Sequence, residues 1–307
     1  MKFRCERDVL VDALGTAGRA ATSRAALPVL SGLRLQLSGD QLRITGSDLD
    51  LTITRSLSVA GAEDGVAVLP AKLAVDIVRA LEPGGVEVDT SGDRPSIRAG
   101  RSEFFLNAIP ADEYPNPHEP DGESVTLQSG HLADGLRQVV GAASSDESRP
   151  ILTGVLLAAE DGGLRLVSTD SYRLAYRDLP GTSLLEQGQQ VLVPSRSLQE
   201  LTRALGQDDD VTLVLSDQMV SFTVGDLQLS TRLIKGDFPD YRKLIPTDMP
   251  NALTVERQAL ADAIRRVRLM ARENSPIRLS MGPDGLELRA ITQDVGNAVE
   301  ELDASAT

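Results

Sequence analysis

The chain repeats itself at the scale of a domain, and this constrains its fold more than any other feature. Residues 28–48 read PVLSGLRLQLSGDQLRITGSD and residues 150–170 read PILTGVLLAAEDGGLRLVSTD, an offset of 122 positions without a gap. A weaker third copy is visible in Pro276-Ile277-Arg278-Leu279 and Gly285-Leu286-Glu287-Leu288. Other landmarks keep the spacing. Leu69-Pro70 and Val193-Pro194 lie 124 apart, as do Tyr114-Pro115 and Phe238-Pro239. Repeats of this length are domains, unlike the short units of solenoids.

Each copy reads helix, strand, turn, strand, strand, then a shorter helix and more strands. Leu10, Leu132 and Leu260 sit in stretches where apolar residues recur every three or four positions, the helix period. Five helices are predicted, over 8–20, 71–82, 129–143, 195–206 and 256–273. Strand segments such as LRLQLS, LTITRSLSV and VTLVLS alternate apolar with polar, which implies antiparallel sheets with one buried face. Turns fall at Ser38-Gly39-Asp40, Asp161-Gly162-Gly163 and Pro283-Asp284-Gly285. Helices over such sheets give an α+β fold of repeated domains. Pro-rich polar stretches at 117–124 and 246–252 mark the boundaries, giving domains over 1–121, 122–248 and 249–307. The third has 59 residues and stops about halfway through its repeat.

Several chemistries are excluded or made unattractive. One cysteine, Cys5, rules out an intrachain disulfide framework, and it reads as a buried filler. His118 and His131 have no second His or Cys at ligand spacing. No phosphate-binding, serine-nucleophile or zinc-protease motif is present. Asp48-Leu49-Asp50 invites comparison with a Mg²⁺ pair, since D-x-D on a strand points both carboxylates to one face. Asp170 occupies the slot of Asp48 in the second copy, so hydrogen bonding at a turn or strand end is the favoured role. An enzyme using Asp48, Asp50 and Asp170 with Mg²⁺ is the reading of another class, and near-identical modules argue against it. No metal, cofactor or catalytic residue is expected. No apolar run reaches the length of a membrane span, and the N-terminus is charged, so a cytoplasmic protein is expected.

LPVLSGLRLQ (27–36), SDLDLTI (47–53), LPAKLAVDIVRAL (69–81), STDSYRLAY (168–176), VLVPSRSLQEL (191–201) and KGDFPDYRKLIP (235–246) together resemble the bacterial replicative sliding clamp family, the beta subunit of DNA polymerase III. The resemblance covers the chain in order. It implies a non-catalytic processivity factor, a head-to-tail homodimeric ring around duplex DNA with helices lining the hole and sheets outside. Its implied partners are DNA regardless of sequence, the polymerase III catalytic subunit, the clamp loader and other replication and repair proteins carrying the clamp-binding motif.

Site residues are carried over by position. The resemblance places DNA contacts at Arg24, Lys72, Arg149 and Arg196. Pro150 and Ile151 follow Arg149 where one well-known member has two tyrosines, so no base stacking is expected there. The partner-peptide pocket falls on Leu152, Thr169, Ser171, Tyr172, Arg173, Leu174, Pro239, Lys243 and Leu244. The dimer edge of domain one falls on a strand over 97–106 with Arg98, Arg101, Phe104 and Leu106. Its counterpart in domain three is a strand over 297–304 with Glu300, Glu301 and Asp303, flanked by Arg268 and Leu269 on a helix. Opposite charges favour correct pairing of two edges.

Charge agrees in sign with a ring on DNA. A sliding ring must touch phosphates rather than base edges, since only backbone contacts are indifferent to sequence. The five predicted helices sum to +2 in a chain of net charge −14, with Arg257, Arg265, Arg266, Arg268 and Arg272 crowding the last. The short third domain leads to a further expectation: weak or no ring closure and a largely monomeric chain at micromolar concentration. A clamp-derived protein that binds partners without encircling DNA is the alternative this leaves.

Overall fold

A computed structural model describes residues 1–22, 27–92, 94–116, 120–122, 124–160, 162–206, 210–272, 275–282 and 285–306. It resolves into two compact units, Met1–Pro239 and a second beginning at Asp240. The first unit holds two copies of one element order, the first with an extra short strand, β5. The first copy runs β1 (Lys2–Glu6), α1 (Arg7–Gly18), β2 (Gly32–Ser38), β3 (Gln41–Ser47), β4 (Leu51–Ser58), β5 (Ala60–Glu63), β6 (Gly65–Pro70), α2 (Ala71–Ala80), β7 (Gly85–Asp89), β8 (Ser96–Ala99) and β9 (Ser102–Phe105). The second runs β10 (Ser124–Gln128), α3 (Ser129–Val139), β11 (Gly154–Glu160), β12 (Gly163–Thr169), β13 (Leu174–Pro180), β14 (Gln190–Pro194), α4 (Ser195–Ala204), β15 (Asp210–Leu215), β16 (Met219–Val224) and β17 (Leu227–Arg232).

The two copies join edge to edge. β17 of the second pairs antiparallel with β4 of the first, making one sheet in the order β10-β15-β16-β17-β4-β3-β2-β6. Leu229 stands opposite Ile53 at this seam, and both are buried. The core follows the sheet across the join: Ala20, Leu51 and Ile53 of the first copy pack with Phe222, Leu227 and Leu229 of the second. Each of the leucine, isoleucine and phenylalanine side chains among them contributes roughly 1.5–3 kcal/mol by leaving water. Two sheets remain within single copies, β5-β1-β7-β8-β9 and β13-β12-β11-β14.

The helices start where the repeat places them. Pro70 and Pro194 sit at the N-caps of α2 and α4, where a missing N–H costs nothing. The stretch 129–143 is not one helix. α3 ends at Val139 and a 3-10 turn follows over Val140–Ala142.

The second unit contains β18 (Leu253–Val255), α5 (Arg257–Val267), β19 (Ile277–Gly282), β20 (Gly285–Thr292), β21 (Gly296–Leu302) and β22 (Ala304–Ala306). Glu256 caps α5, its carboxylate accepting from the N–H groups of Gln258 and Ala259. Those bonds and the helix dipole hold its pKa below the usual range. α5 also stops before the predicted end, and Arg268 and Leu269 lie on a 3-10 turn, Arg268–Met270. Behind α5 the sheet β19-β20-β21 buries Leu286, Leu288 and Ala290 against Ala263 and Val267. β18 and β22 pair separately. Antiparallel sheets with helices packed on them confirm the α+β class.

Candidate functional site

The turn over 169–174 is built by its own side chains. β12 ends at Thr169 and β13 begins at Leu174. Asp170 Oδ1 accepts from the N–H groups of Tyr172 and Arg173, both at 3.0 Å. Thr169 Oγ1 donates to the Arg173 carbonyl at 2.7 Å and accepts from Ser171 N–H at 3.1 Å. These bonds hold Ser171 at φ 77°, a conformation costing roughly 1–3 kcal/mol for a residue with a Cβ. Desolvation pushes the Asp170 carboxyl up, but the two amides and the Arg173 guanidinium outweigh it and hold the pKa low.

Several predicted pocket residues converge here. Arg173 reaches back through Nη2 to the Gly141 carbonyl at 2.6 Å, and Tyr172 is 93% exposed. Leu174 is half-buried, and Leu152 is buried in the 3-10 turn Pro150–Thr153. Arg149 joins the same network, donating from Nη1 to Ser171 Oγ at 3.3 Å and from Nε to Asp146 at 2.9 Å. A residue predicted to face DNA therefore shares a hydrogen bond with one predicted to face a peptide. Pro239 is exposed at the end of the first unit. In the second unit Leu244 is 61% exposed on the 3-10 turn Tyr241–Leu244, and Lys243 pairs with Asp240 at 2.9 Å.

The basic candidates occupy equivalent places. Lys72 and Arg196 are each the second residue of their helix, α2 and α4, and both are exposed. Each lines a cleft, of about 390 and 430 Å³ respectively, at matching positions of the repeat. Arg196 is committed further than the sequence suggests. It pairs with Oδ2 of Asp48 and donates to the Arg19 carbonyl at 3.3 Å, tying the two copies together. Arg24 lies outside the described residues.

The predicted strand over 97–106 is a hairpin rather than a single strand. Gly100, at φ 53°, turns the chain between β8 and β9. The free edge is therefore β9, carrying Phe104 (38% exposed) and Phe105 (53% exposed). Arg98 lies one strand inward and pairs with Glu103 at 2.6 Å. Leu106 is buried, and Arg101 is exposed at the turn. In the second unit β21 is an edge of its sheet, with Glu300 bound by Arg266 at 2.6 Å and Asp303 just beyond the strand. Glu301 is exposed, and Leu269 is 77% exposed.

The D-x-D motif is not on a strand. Asp48 and Asp50 flank Leu49 (φ 80°) in the turn between β3 and β4. Asp48 Oδ1 accepts from Asp50 and Leu51 N–H, while Asp50 points to solvent near Arg232. Among the described residues no group of three His, Cys, Asp or Glu is placed to hold a metal, and no helix is long and apolar enough to cross a membrane. Cys5 is buried in β1, and its thiol pKa is raised by desolvation.

Sequence reasoning missed Arg55 and Asp226, which pair at 2.8 Å across the β4–β17 seam. The repeat itself held the signal, because it leaves each copy with strand edges that must be paired or covered.

Models of the N-terminal, central and C-terminal domains of the DNA polymerase III beta subunit match residues 1–118, 126–240 and 242–307. The beta sliding clamp of Streptomyces coelicolor is 35% identical over 99% of this chain and 82% of its own length. That of Bacillus subtilis is 32% identical over 98% and 84%. Among solved structures, the sliding clamp of Bartonella birtlesii bound to griselimycin superposes with a TM-score of 0.92 at 28% identity, covering all of this chain and 85% of that one.

Proposed function

This chain belongs to the DNA polymerase III beta-subunit family, the sliding clamps of DNA replication, and from that membership we propose how its residues divide the clamp's work. A sliding clamp is a non-catalytic processivity factor. Three clamp domains are assigned to 1–121, 122–248 and 249–307. In our reading the chain self-associates head to tail around duplex DNA and tethers the polymerase III catalytic subunit, the clamp loader and other motif-bearing replication and repair proteins.

The observation that carries this reading is the β17–β4 seam. Two copies of the repeat join by adding an edge strand of one to an edge strand of the other, and β9 and β21 are among the strands that border their sheets. The same operation between two chains links β9 of one to β21 of the next. What supports β21 as a usable edge is its backing by the core around Ala263, Val267, Leu286 and Leu288 and the Arg266–Glu300 pair; the weak closure expected of the short third domain is the alternative reading.

DNA is held through its phosphates by Lys72, Arg149 and Arg196. Two of these cations are already partnered by carboxylates, Arg149 by Asp146 and Arg196 by Asp48, which keeps the grip loose enough to slide. Partners insert an apolar-anchored peptide against Leu152, Leu174, Pro239 and Leu244, with Thr169, Ser171, Tyr172, Arg173 and Lys243 at the rim. Primer extension on a long single-stranded template, with a bacterial polymerase III core and clamp loader, tests the assignment. Adding this chain is expected to lengthen products made in one binding event. Products of unchanged length contradict it.

A further inference from the structure

Arg196, Glu200 and Arg203 share one face of α4, at steps of four and three residues. The first two are tied to the other copy of the repeat. Arg196 Nη1 pairs with Asp48 Oδ2 at 2.5 Å, and Arg19 Nε pairs with Glu200 Oε2 at 2.5 Å. Arg203 takes the other oxygen of Glu200, also at 2.5 Å. The two ties run in opposite senses, acid to base and base to acid. In both the carboxylate is the sheltered partner. The side chains of Asp48 and Glu200 are 11% exposed, whereas that of Arg196 is 56% exposed.

Asp48 is fixed independently of Arg196, because its Oδ1 accepts from the N–H groups of Asp50 and Leu51. Arg196 faces a cleft that it shares with Ser144, Ser145, Thr153 and Ser195. A guanidinium offers its N–H groups in a planar fork that fits a carboxylate and a phosphate alike. A phosphate entering this cleft therefore meets a fork already engaged, through Nη1 by Asp48 and through Nη2 by the Arg19 carbonyl at 3.3 Å. Lys72 holds the matching position of the first copy, and among the described residues it has no carboxylate partner.

Resting on the reading of Arg196 as a phosphate contact, we propose that Asp48 sets the affinity for DNA by competing with phosphate for Arg196, so that each phosphate Arg196 takes releases one tie between the two copies. The turn amides keep Asp48 in place throughout, ready to take Arg196 back when the phosphate moves on. One charge-assisted pair is exchanged for another, and the net gain is small. The competition is reciprocal: the factor by which DNA binding tightens without the carboxylate is the factor by which bound DNA weakens the Asp48–Arg196 tie. Arg19–Glu200 takes no part and continues to join the copies, and Lys72 supplies a contact that needs no exchange.

A double-mutant cycle on binding of the full chain to short linear duplex DNA at low salt tests this, with Asp48→Asn, Arg196→Ala and the double variant. Asp48→Ser, whose hydroxyl accepts from the same turn amides, is the second uncharged variant, and thermal melts check that each folds. Asp48→Asn is expected to tighten DNA binding roughly threefold to tenfold, the scale of one partly sheltered ion pair, and to change nothing in the Arg196→Ala background. Asp50→Asn removes the same charge from the same turn, but Asp50 stands 3.9 Å from Arg232 rather than on Arg196. It should tighten binding less, and by the same factor in both backgrounds. Asp48 variants that bind no tighter than wild type, that keep their gain without Arg196, or that Asp50→Asn equals, overturn the proposal and leave Arg196 as a phosphate contact. An Arg196→Ala variant that binds DNA as wild type does removes the phosphate reading itself, and the proposal with it.

Discussion

Asp48 and Asp170, 122 positions apart, cap the same turn in two copies of the repeat. Each Oδ1 accepts from the backbone N–H groups two and three residues on, across a residue held at positive φ, Leu49 or Ser171. Their second oxygens diverge. That of Asp48 takes Arg196 from the other copy, and that of Asp170 takes its own neighbour Arg173. One device thus closes a turn twice and, in one case, also braces the two copies against each other.

Asp48→Ala should therefore destabilise the fold by about 1–3 kcal/mol, because two amides lose their acceptor and Leu49 keeps its strained backbone. Asp48→Asn keeps an acceptor for the amides and should cost less. Urea unfolding measures both. Equal losses in the two variants contradict the capping role.

Leu174→Ala and Leu244→Ala should each weaken binding of a peptide carrying the polymerase's clamp-binding motif by about 1–3 kcal/mol, the range for a buried anchor contact. Fluorescence anisotropy with a labelled peptide reads this. Unchanged affinity in both folded variants removes the pocket assignment.

Lys72→Ala and Arg196→Ala should each lower the slope of log affinity against log salt by about one when the chain binds linear duplex DNA. The loss should be the same on unrelated sequences. A slope that does not move places neither residue on a phosphate.

Asp89 gives the fold an acid limit. Hydrogen bonds from Ser91 and the Lys2 ammonium at 3.2 Å lower its pKa to about 2. A depressed carboxylate adds stability above its unfolded pKa near 3.8, and the contribution is lost as pH falls through about 2. Asp89→Asn should lower the melting temperature at pH 7 by a few degrees, and the gap should narrow between about pH 4 and pH 2. A gap independent of pH over that window contradicts the assignment.

Much of this was legible in the sequence because the repeat prints each element more than once. The predicted helices start within a residue of where they stand, and the favoured turn role of Asp48 matches its hydrogen bonds. The strand over 97–106 was misread because the segments on either side of Gly100-Arg101 both suit a strand, and the turn between them depends on the positive φ of Gly100. Likewise the ends of α3 and α5 tighten into 3-10 turns that apolar periodicity does not distinguish from helix. The ties of Arg149 to Ser171 and of Arg196 to Asp48 were invisible for another reason. They join side chains 22 and 148 positions apart, and neither spacing is periodic.

Topological retention on DNA is the sharpest test of a closed head-to-tail ring. The chain is loaded on nicked circular DNA with a bacterial clamp loader and ATP, then passed through gel filtration at high salt. It should co-elute with the circle and leave when a restriction enzyme cuts the DNA. Release from the intact circle as fast as from linear DNA means that the chain does not close a ring.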